Sequence, residues 1–299
     1  MKTNTVKNIL GISRAPFLIL TPACVLLGLA SAVYTVGAIN IFYFLLALVG
    51  ALAAHISVNA FNEYFDFKSG LDTRTQRTPF SGGSGTLQAV PGAEKTALKL
   101  AYISFAVTAL IGVFFFFQLG WTILPLGVVG LIVIIAYTPW FARLPLVSLL
   151  TPGLAFGTLM VMGTDFVLTG EYSWTAFFAS LVPFFLVNDL LLLNQFPDLE
   201  ADSSVGRRNY PIVIGRKKSS LIYGAFLFLA DASILAGVLL GYLPVWSLLG
   251  LLNLFLLVPV ARGAYRFADD MEKLVPILGQ NVLITIATPI LVAIGLFVG

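Results

Sequence analysis

Nine stretches of this chain each hold roughly 20 mostly apolar residues, the length a helix needs to cross a bilayer. They run over about 15–38, 41–65, 97–119, 121–138, 146–169, 174–196, 220–241, 244–263 and 275–298. Turn signals separate them: Val36-Gly37, Leu119-Gly120, Thr169-Gly170 and Gly241-Tyr242-Leu243-Pro244. Backbone polar groups in lipid must bond within their own segment, so the spans are expected to be helices. Hydrophobic residues make up 59% of the chain and charged residues 10%, too few charges to cover a soluble surface of this size. The expected fold is an all-α membrane protein with nine transmembrane helices in a single bundle.

Charge sets the expected orientation. With nine spans, all 17 Lys and Arg, from Lys2 to Lys273, fall in the N-terminus and every second connection. The opposite side has none. The positive-inside rule then places the N-terminus in the cytoplasm and the C-terminus outside. Lys2, Lys7 and the Ala30-Ser31-Ala32 segment mimic a signal peptide with a cleavage site. The apolar run continues past that site, so the first span is expected to stay. Its removal would leave eight spans with the same cytoplasmic loops. One Cys (Cys24) and one His (His55) allow neither an internal disulfide nor a Cys/His zinc cage. A net charge of +3 suits anionic lipid or an anionic substrate, and no nucleic acid.

Two cytoplasmic loops are long, 66–95 and 198–219, and each begins in an acidic motif. The first is NAFNEYFDFKSGLD. His55, Asn59, Asn62 and Asp66 fall within an arc of about 60° on a helical wheel, a polar stripe expected to face the bundle interior. Asp72 lies just beyond. The second is NQFPDLEAD, where Asn194, Asp198 and Asp202 are spaced i, i+4, i+8 on a continuing helix. Pro197 weakens that extrapolation. The two motifs lie 132 residues apart, and each offers an Asn-x-x-x-Asp face. The chain is therefore expected to be one domain of two pseudo-repeat halves, about 15–138 and 146–263, with a ninth helix at 275–298.

Facing carboxylates repel, and an oxygen-loving divalent cation resolves the repulsion. Mg²⁺ takes one or two carboxylates, keeps several waters and completes its shell with substrate phosphate. Lys68, Arg74 and Arg77 follow the first motif, and Arg207 and Arg208 the second. Carboxylates beside Lys and Arg at a membrane surface suit a Mg²⁺-diphosphate headgroup. The plainer alternative is that the acids merely balance the basic loops.

At these residues the chain resembles the UbiA superfamily of intramembrane prenyltransferases, over nearly its whole length. Asn62 to Asp72 and Asp198 to Asp202 resemble the family's two Asp-rich motifs. RTPFSGGSGTL (Arg77 to Leu87) is similar to a segment of the menaquinone branch. RAPFLILTPACVLLGLA, AYTP (Ala136 to Pro139), FGTLMVMGTDFVLTG (Phe156 to Gly170) and GRRNYPIVIG (Gly206 to Gly215) extend the likeness. The chain departs from the family at Glu63, where Asp is frequent, and at Pro197, where a basic residue is frequent. The Tyr-x-x-x-Lys of some members is also absent, since Tyr137 is followed by Arg143. The departures bear on the acceptor.

The resemblance implies helices around a central cavity open sideways to lipid, two Mg²⁺ ions, and a polyprenyl diphosphate donor ionised at its allylic C–O bond. It implies metal roles for Asn62, Asp66, Asp72, Asp198 and Asp202, with Asp66 and Asp198 central to catalysis. Arg77, Arg208, Lys68, Arg207, Asn62 and Asn194 are expected to bind substrate, and Tyr137 to reach the reaction pocket. The expected acceptor is aromatic, a naphthoate of menaquinone-type quinone synthesis. A 4-hydroxybenzoate or a glycerol phosphate headgroup is the alternative, and an Asp-coupled transporter or a silent scaffold is the alternative from another class. The expected location is a prokaryotic inner membrane, with the site facing the cytoplasm. His55, Asp165, Asp189, Asp231 and the 81–85 Ser/Gly loop receive no firm role, and Gly153-x-x-x-Gly157 is read as a helix-packing site.

Overall fold

A computed structural model describes residues 5–75 and 77–299; Lys2, counted above among the basic residues, lies outside them. All regular structure among the described residues is helical. A short α1 (Thr5–Ile12) leads into the long helices α2 (Leu20–Val36) and α3 (Ile41–Ser69). Next come α4 (Ala93–Leu119) and α5 (Leu124–Ala136). Helix α6 (Pro145–Gly153) continues through a π-helical stretch, Leu154–Met162, into α7 (Gly163–Thr169). Helix α8 (Trp174–Asn194), the short α9 (Leu199–Ser204), α10 (Arg216–Leu239), α11 (Leu254–Arg266) and α12 (Met271–Val298) complete the bundle.

Local chemistry explains several of the ends. The Asn40 side chain caps α3 by accepting from the Phe42 and Tyr43 N–H groups at 3.0 and 3.2 Å. The Ser173 hydroxyl caps α8 by accepting from Ala176 N–H at 3.0 Å. Such caps satisfy amides that have no partner inside the helix. Helix α3 runs on to Ser69 and closes at Gly70, so Asp66 and Lys68 are helical and not part of a loop that begins at 66.

Eight helical stretches among the described residues are long and apolar enough to cross a membrane. One of them, Ala93–Ala136, has 44 residues. A straight helix of that length would reach about 66 Å, roughly twice the hydrocarbon thickness. Gly120 breaks it with φ +77, a conformation costly for any residue with a Cβ, and α5 packs back against α4.

The largest core joins α2, α6, the π-helical stretch, α8, α10 and α12, around Leu27, Phe196, Leu227 and Leu278, all fully buried. A second core lies between α1, α3 and α4. Leu110, Phe117, Leu239 and Phe255 point outward, as side chains in a lipid solvent can. Close packing is tightest where the π-helical stretch crosses α8. The Asn188 side chain accepts the Gly153 N–H at 2.6 Å, and a Cβ on Gly157 would collide with the Phe184 backbone. Gly157→Leu is therefore expected to destabilise the bundle by about 1–3 kcal/mol through overpacking, read as a lower melting temperature in detergent.

Candidate active site

The C-terminal ends of α3 and α8 meet at the mouth of a cavity of about 700 Å³. Asn62, Asp66 and Asp72 line it from the first motif, and Asn194, Asp198 and Asp202 from the second. Asp66 sits in the last turn of α3, and Asp72 follows in a 3-10 turn, Leu71–Thr73. Helix α8 ends at Asn194, the chain turns through Pro197, and α9 restarts after Asp198. The expected unbroken i, i+4, i+8 face is thus corrected: Pro197 lacks the N–H that a continuing helix needs. The turn still brings Asp198 and Asp202 to the cavity.

Arg207 joins the two motifs. Its guanidinium pairs with Asp66 through Nη2 and with Asp202 Oδ1 through Nη1 at 2.9 Å. Asn209 Nδ2 donates to the other Asp202 oxygen at 3.0 Å. Asn62 Oδ1 accepts from Arg14 Nη2 at 2.7 Å, and Asn62 Nδ2 donates to Thr138 at 3.3 Å. Gln88 donates to Asp72 at 2.7 Å. The Asn194 and Asp198 Oδ1 atoms are buried with no protein partner.

Burial, and then the neighbouring Asp202, pushes Asp198 up to about 7. Burial raises Asp202, and burial followed by the Glu63 charge raises Asp72. Burial works against the charge on Arg207, but Asp66 and Asp202 outweigh it and hold the guanidinium above its ordinary range. Four carboxylates (Asp66, Asp72, Asp198 and Asp202) line this mouth with two guanidiniums, Arg207 and Arg14, and Arg14 is paired to Glu63 behind the wall. The excess of negative charge and the two unpartnered oxygens fit a hard divalent cation. Among the described residues, no three His, Cys, Asp or Glu side chains converge tightly enough to enclose an ion alone.

The other expected substrate-binding residues lie elsewhere. Arg208 is exposed and not on the cavity wall; its N–H bonds the Ala142 carbonyl at 3.2 Å. Lys68 is exposed, 5.8 Å above the Tyr64 ring. Arg77 is exposed and donates to Gln88 at 2.7 Å, so it touches Asp72 only through that amide. Tyr137 lines the cavity near Arg207.

Sequence reasoning counted Arg14 only as a positive-inside charge. It lines the cavity and is the one non-glycine residue with positive φ among those described, at φ 51, ψ 51. That conformation costs about 1–2 kcal/mol, offset here by its bonds to Glu63 and Asn62. The available signal was its place at the head of RAPFLILTPACVLLGLA, a stretch similar to the family. The other walls are largely apolar, with Phe17, Phe80 and Phe156 among them; 25 Phe in the sequence gave no means of choosing these. His55 also lines the cavity, with Nδ1 2.8 Å from the Thr21 hydroxyl and its ring edge-on to Phe156. The π-helical stretch, which widens a helix near many functional sites, supplies Leu159 and Met160 to the same wall.

A helical membrane bundle with two Asp motifs over an apolar cavity defines a class of intramembrane enzyme. Residues 20–278 match the UbiA prenyltransferase family. The 1,4-dihydroxy-2-naphthoate octaprenyltransferase of Bacillus subtilis is 30% identical over 257 residues, covering 84% of this chain and 80% of that protein. The digeranylgeranylglyceryl phosphate synthase of Pyrococcus horikoshii is 28% identical over 210 residues, covering 69% of each. The structure of a UbiA homolog from Archaeoglobus fulgidus bound to DMAPP and Mg²⁺ superposes with a TM-score of 0.60 at 12% identity, covering 96% of this chain and 99% of that one. The chain belongs to the UbiA prenyltransferase family, and it is an integral membrane prenyltransferase.

Proposed function

We propose that this protein transfers a polyprenyl group from a polyprenyl diphosphate to an aromatic acceptor, in Mg²⁺-dependent, menaquinone-type quinone synthesis. The observation that carries the reading is the meeting of both acidic motifs at one mouth, with unpartnered Asn194 and Asp198 oxygens, above an apolar cavity. Asn62, Asp66, Asp72, Asp198 and Asp202 would hold Mg²⁺. When bound, such an ion would supply positive charge that stabilises a departing diphosphate. Arg14 and Arg207 face the same mouth and add positive charge there. Lys68, Arg77 and Arg208 fit an outer role in drawing an anionic headgroup toward the surface.

The allylic C–O bond breaks with its electron pair leaving on diphosphate, an electron pair of the acceptor ring forms the new C–C bond, and the group displaced from that ring carbon, a proton or a carboxylate as CO₂, leaves to restore aromaticity. The apolar walls exclude the water that would quench the allylic cation. Phe156 and Tyr137 are aromatic groups on the cavity wall, the kind of side chain that stabilises such a cation. Likeness to the Bacillus naphthoate enzyme supports the naphthoate acceptor. Likeness to the Pyrococcus synthase keeps a glycerol phosphate headgroup as the second reading. A transporter would place its acids near the bilayer midplane, whereas these lie at helix ends.

The same reading counts Ala93–Ala136 as two crossings on either side of Gly120, giving nine in all. It places the N-terminus and the site in the cytoplasm of a prokaryotic cell and the C-terminus outside. The distribution of Lys and Arg supports it.

The test is prenyl transfer by the purified chain in lipid, with labelled polyprenyl diphosphate and a panel of naphthoate, 4-hydroxybenzoate and glycerol phosphate acceptors. Product with the naphthoate alone, lost on removal of Mg²⁺ by chelator, is expected. Product with glycerol phosphate alone would establish the second reading. No product with any acceptor from folded protein would overturn the proposal.

A further inference from the structure

Glu63 follows Asn62 in the first motif, yet it does not line the cavity that the motif lines. It is fully buried. Its Oε1 accepts from Arg14 Nε at 2.8 Å and from the Ser84 N–H at 2.9 Å, and its Oε2 accepts from the Ser84 hydroxyl at 2.7 Å. A carboxylate offers about four acceptor sites, so little capacity is left for a cation. Asp198 differs, since its Oδ1 has no partner.

The three donors come from two otherwise separate segments. Arg14 reaches past Glu63 to the Asn62 oxygen. Ser84 belongs to the 81–85 loop, whose Gly82 backbone lies against Asp198. At Gly83, φ +71, a Cβ would stand 3.0 Å from Asp72 Oδ1 and 3.5 Å from Glu63 Oε1. The loop therefore roofs both motifs, and Glu63 is its anchor on the first.

We propose that Glu63 is a positioning residue: it clamps Arg14 and the 81–85 loop to the first motif, and its carboxylate is not a ligand of the divalent ion. The inference rests on reading the motifs as the diphosphate site. Side-chain length is the critical property. Aspartate is shorter by one C–C bond, about 1.5 Å, and reaches Arg14 or Ser84 but not both. Glutamine keeps the reach, accepts from Arg14 and the Ser84 N–H, and donates to the Ser84 hydroxyl. A metal ligand has the opposite ranking, because there the charge matters more than one methylene.

The experiment uses the full chain in lipid nanodiscs, with Glu63→Asp, Glu63→Gln, Ser84→Ala and, as the ligand control, Asp198→Asn. Three quantities are read: Mn²⁺ binding by electron paramagnetic resonance, kcat and KM with geranylgeranyl diphosphate, and the rate of tryptic cleavage after Arg77. Mn²⁺ affinity is expected to match wild type in both Glu63 variants and to fall in Asp198→Asn. The KM is expected to rise about tenfold in Glu63→Asp with little change in kcat, and less in Glu63→Gln. Cleavage after Arg77 is expected to quicken in Glu63→Asp and Ser84→Ala. Loss of Mn²⁺ affinity in Glu63→Gln as large as in Asp198→Asn would overturn the proposal, as would unchanged KM and cleavage in both Glu63→Asp and Ser84→Ala. If the wild type transfers no prenyl group, the functional reading fails, and the Mn²⁺ and cleavage measurements still decide whether Glu63 is the clamp.

Discussion

Asp198→Asn in lipid-reconstituted protein is expected to lower Mg²⁺-dependent prenyl transfer about 10³-fold, and Asp66→Asn by a similar factor. Asparagine keeps the size of the side chain, removes its charge and turns one acceptor oxygen into an N–H donor. Asp198 Oδ1 is buried with no protein partner, an arrangement that is costly unless a cation or water meets it. Burial and the charge on Asp202 disfavour its ionised form, so a divalent ion is what would hold Asp198 as a carboxylate. Two measurements check this: product formation, and Mn²⁺ binding without substrate. The ion-free melting temperature should not fall in Asp198→Asn, because the substitution relieves repulsion from Asp202. Transfer within about tenfold of wild type would remove Asp198 from the ion site.

Arg207→Ala carries the second large effect, and it falls on stability as well as rate. Arg207 is the cation between Asp66 and Asp202, two nearly buried carboxylates 136 residues apart in the chain. Removing one partner from such a network leaves uncompensated charge, and about 3 kcal/mol of ion-free stability is expected to be lost. Mg²⁺ with inorganic pyrophosphate should restore part of the melting temperature, since an ion at the motifs supplies the missing positive charge. Arg207→Lys should fall between the two, because a single ammonium lacks the planar fork that reaches both acids. A melting temperature equal to wild type in Arg207→Ala would mean that the pairing contributes nothing to the fold.

Much of this arrangement was legible before any fold was known. The spans, the all-helical class, the stripe from His55 to Asp66 and the pairing of two acidic motifs all follow from runs of neighbouring residues. The choice between Arg207 and Arg208 did not. They are adjacent in an irregular segment with no period to say which one turns inward, and it is Arg207 that enters the mouth while Arg208 faces out. Glu63 stood out only as a departure from the family pattern. Its contact with Ser84 spans 21 residues and its contact with Arg14 spans 49. Asp189, at α8, and Asp231, at α10, show the same limit. Both are buried away from the cavity, and Asp231 accepts a bond from Asn253 at 2.8 Å, a partner no helical wheel links to it.

The division has a physical cause. Lipid acts on each stretch of chain separately: a segment is apolar and long enough to cross, or it is not, and that test uses consecutive residues alone. The site is a different kind of object. Arg207 and Asp66 are 141 positions apart, and Arg14 reaches Asn62 from 48 positions away through a left-handed backbone turn. Those pairings, and the loop folded over Glu63, join segments that no local pattern connects. Composition and periodicity made the chain a membrane bundle with acidic motifs at one end; packing between distant segments selected which side chains meet there.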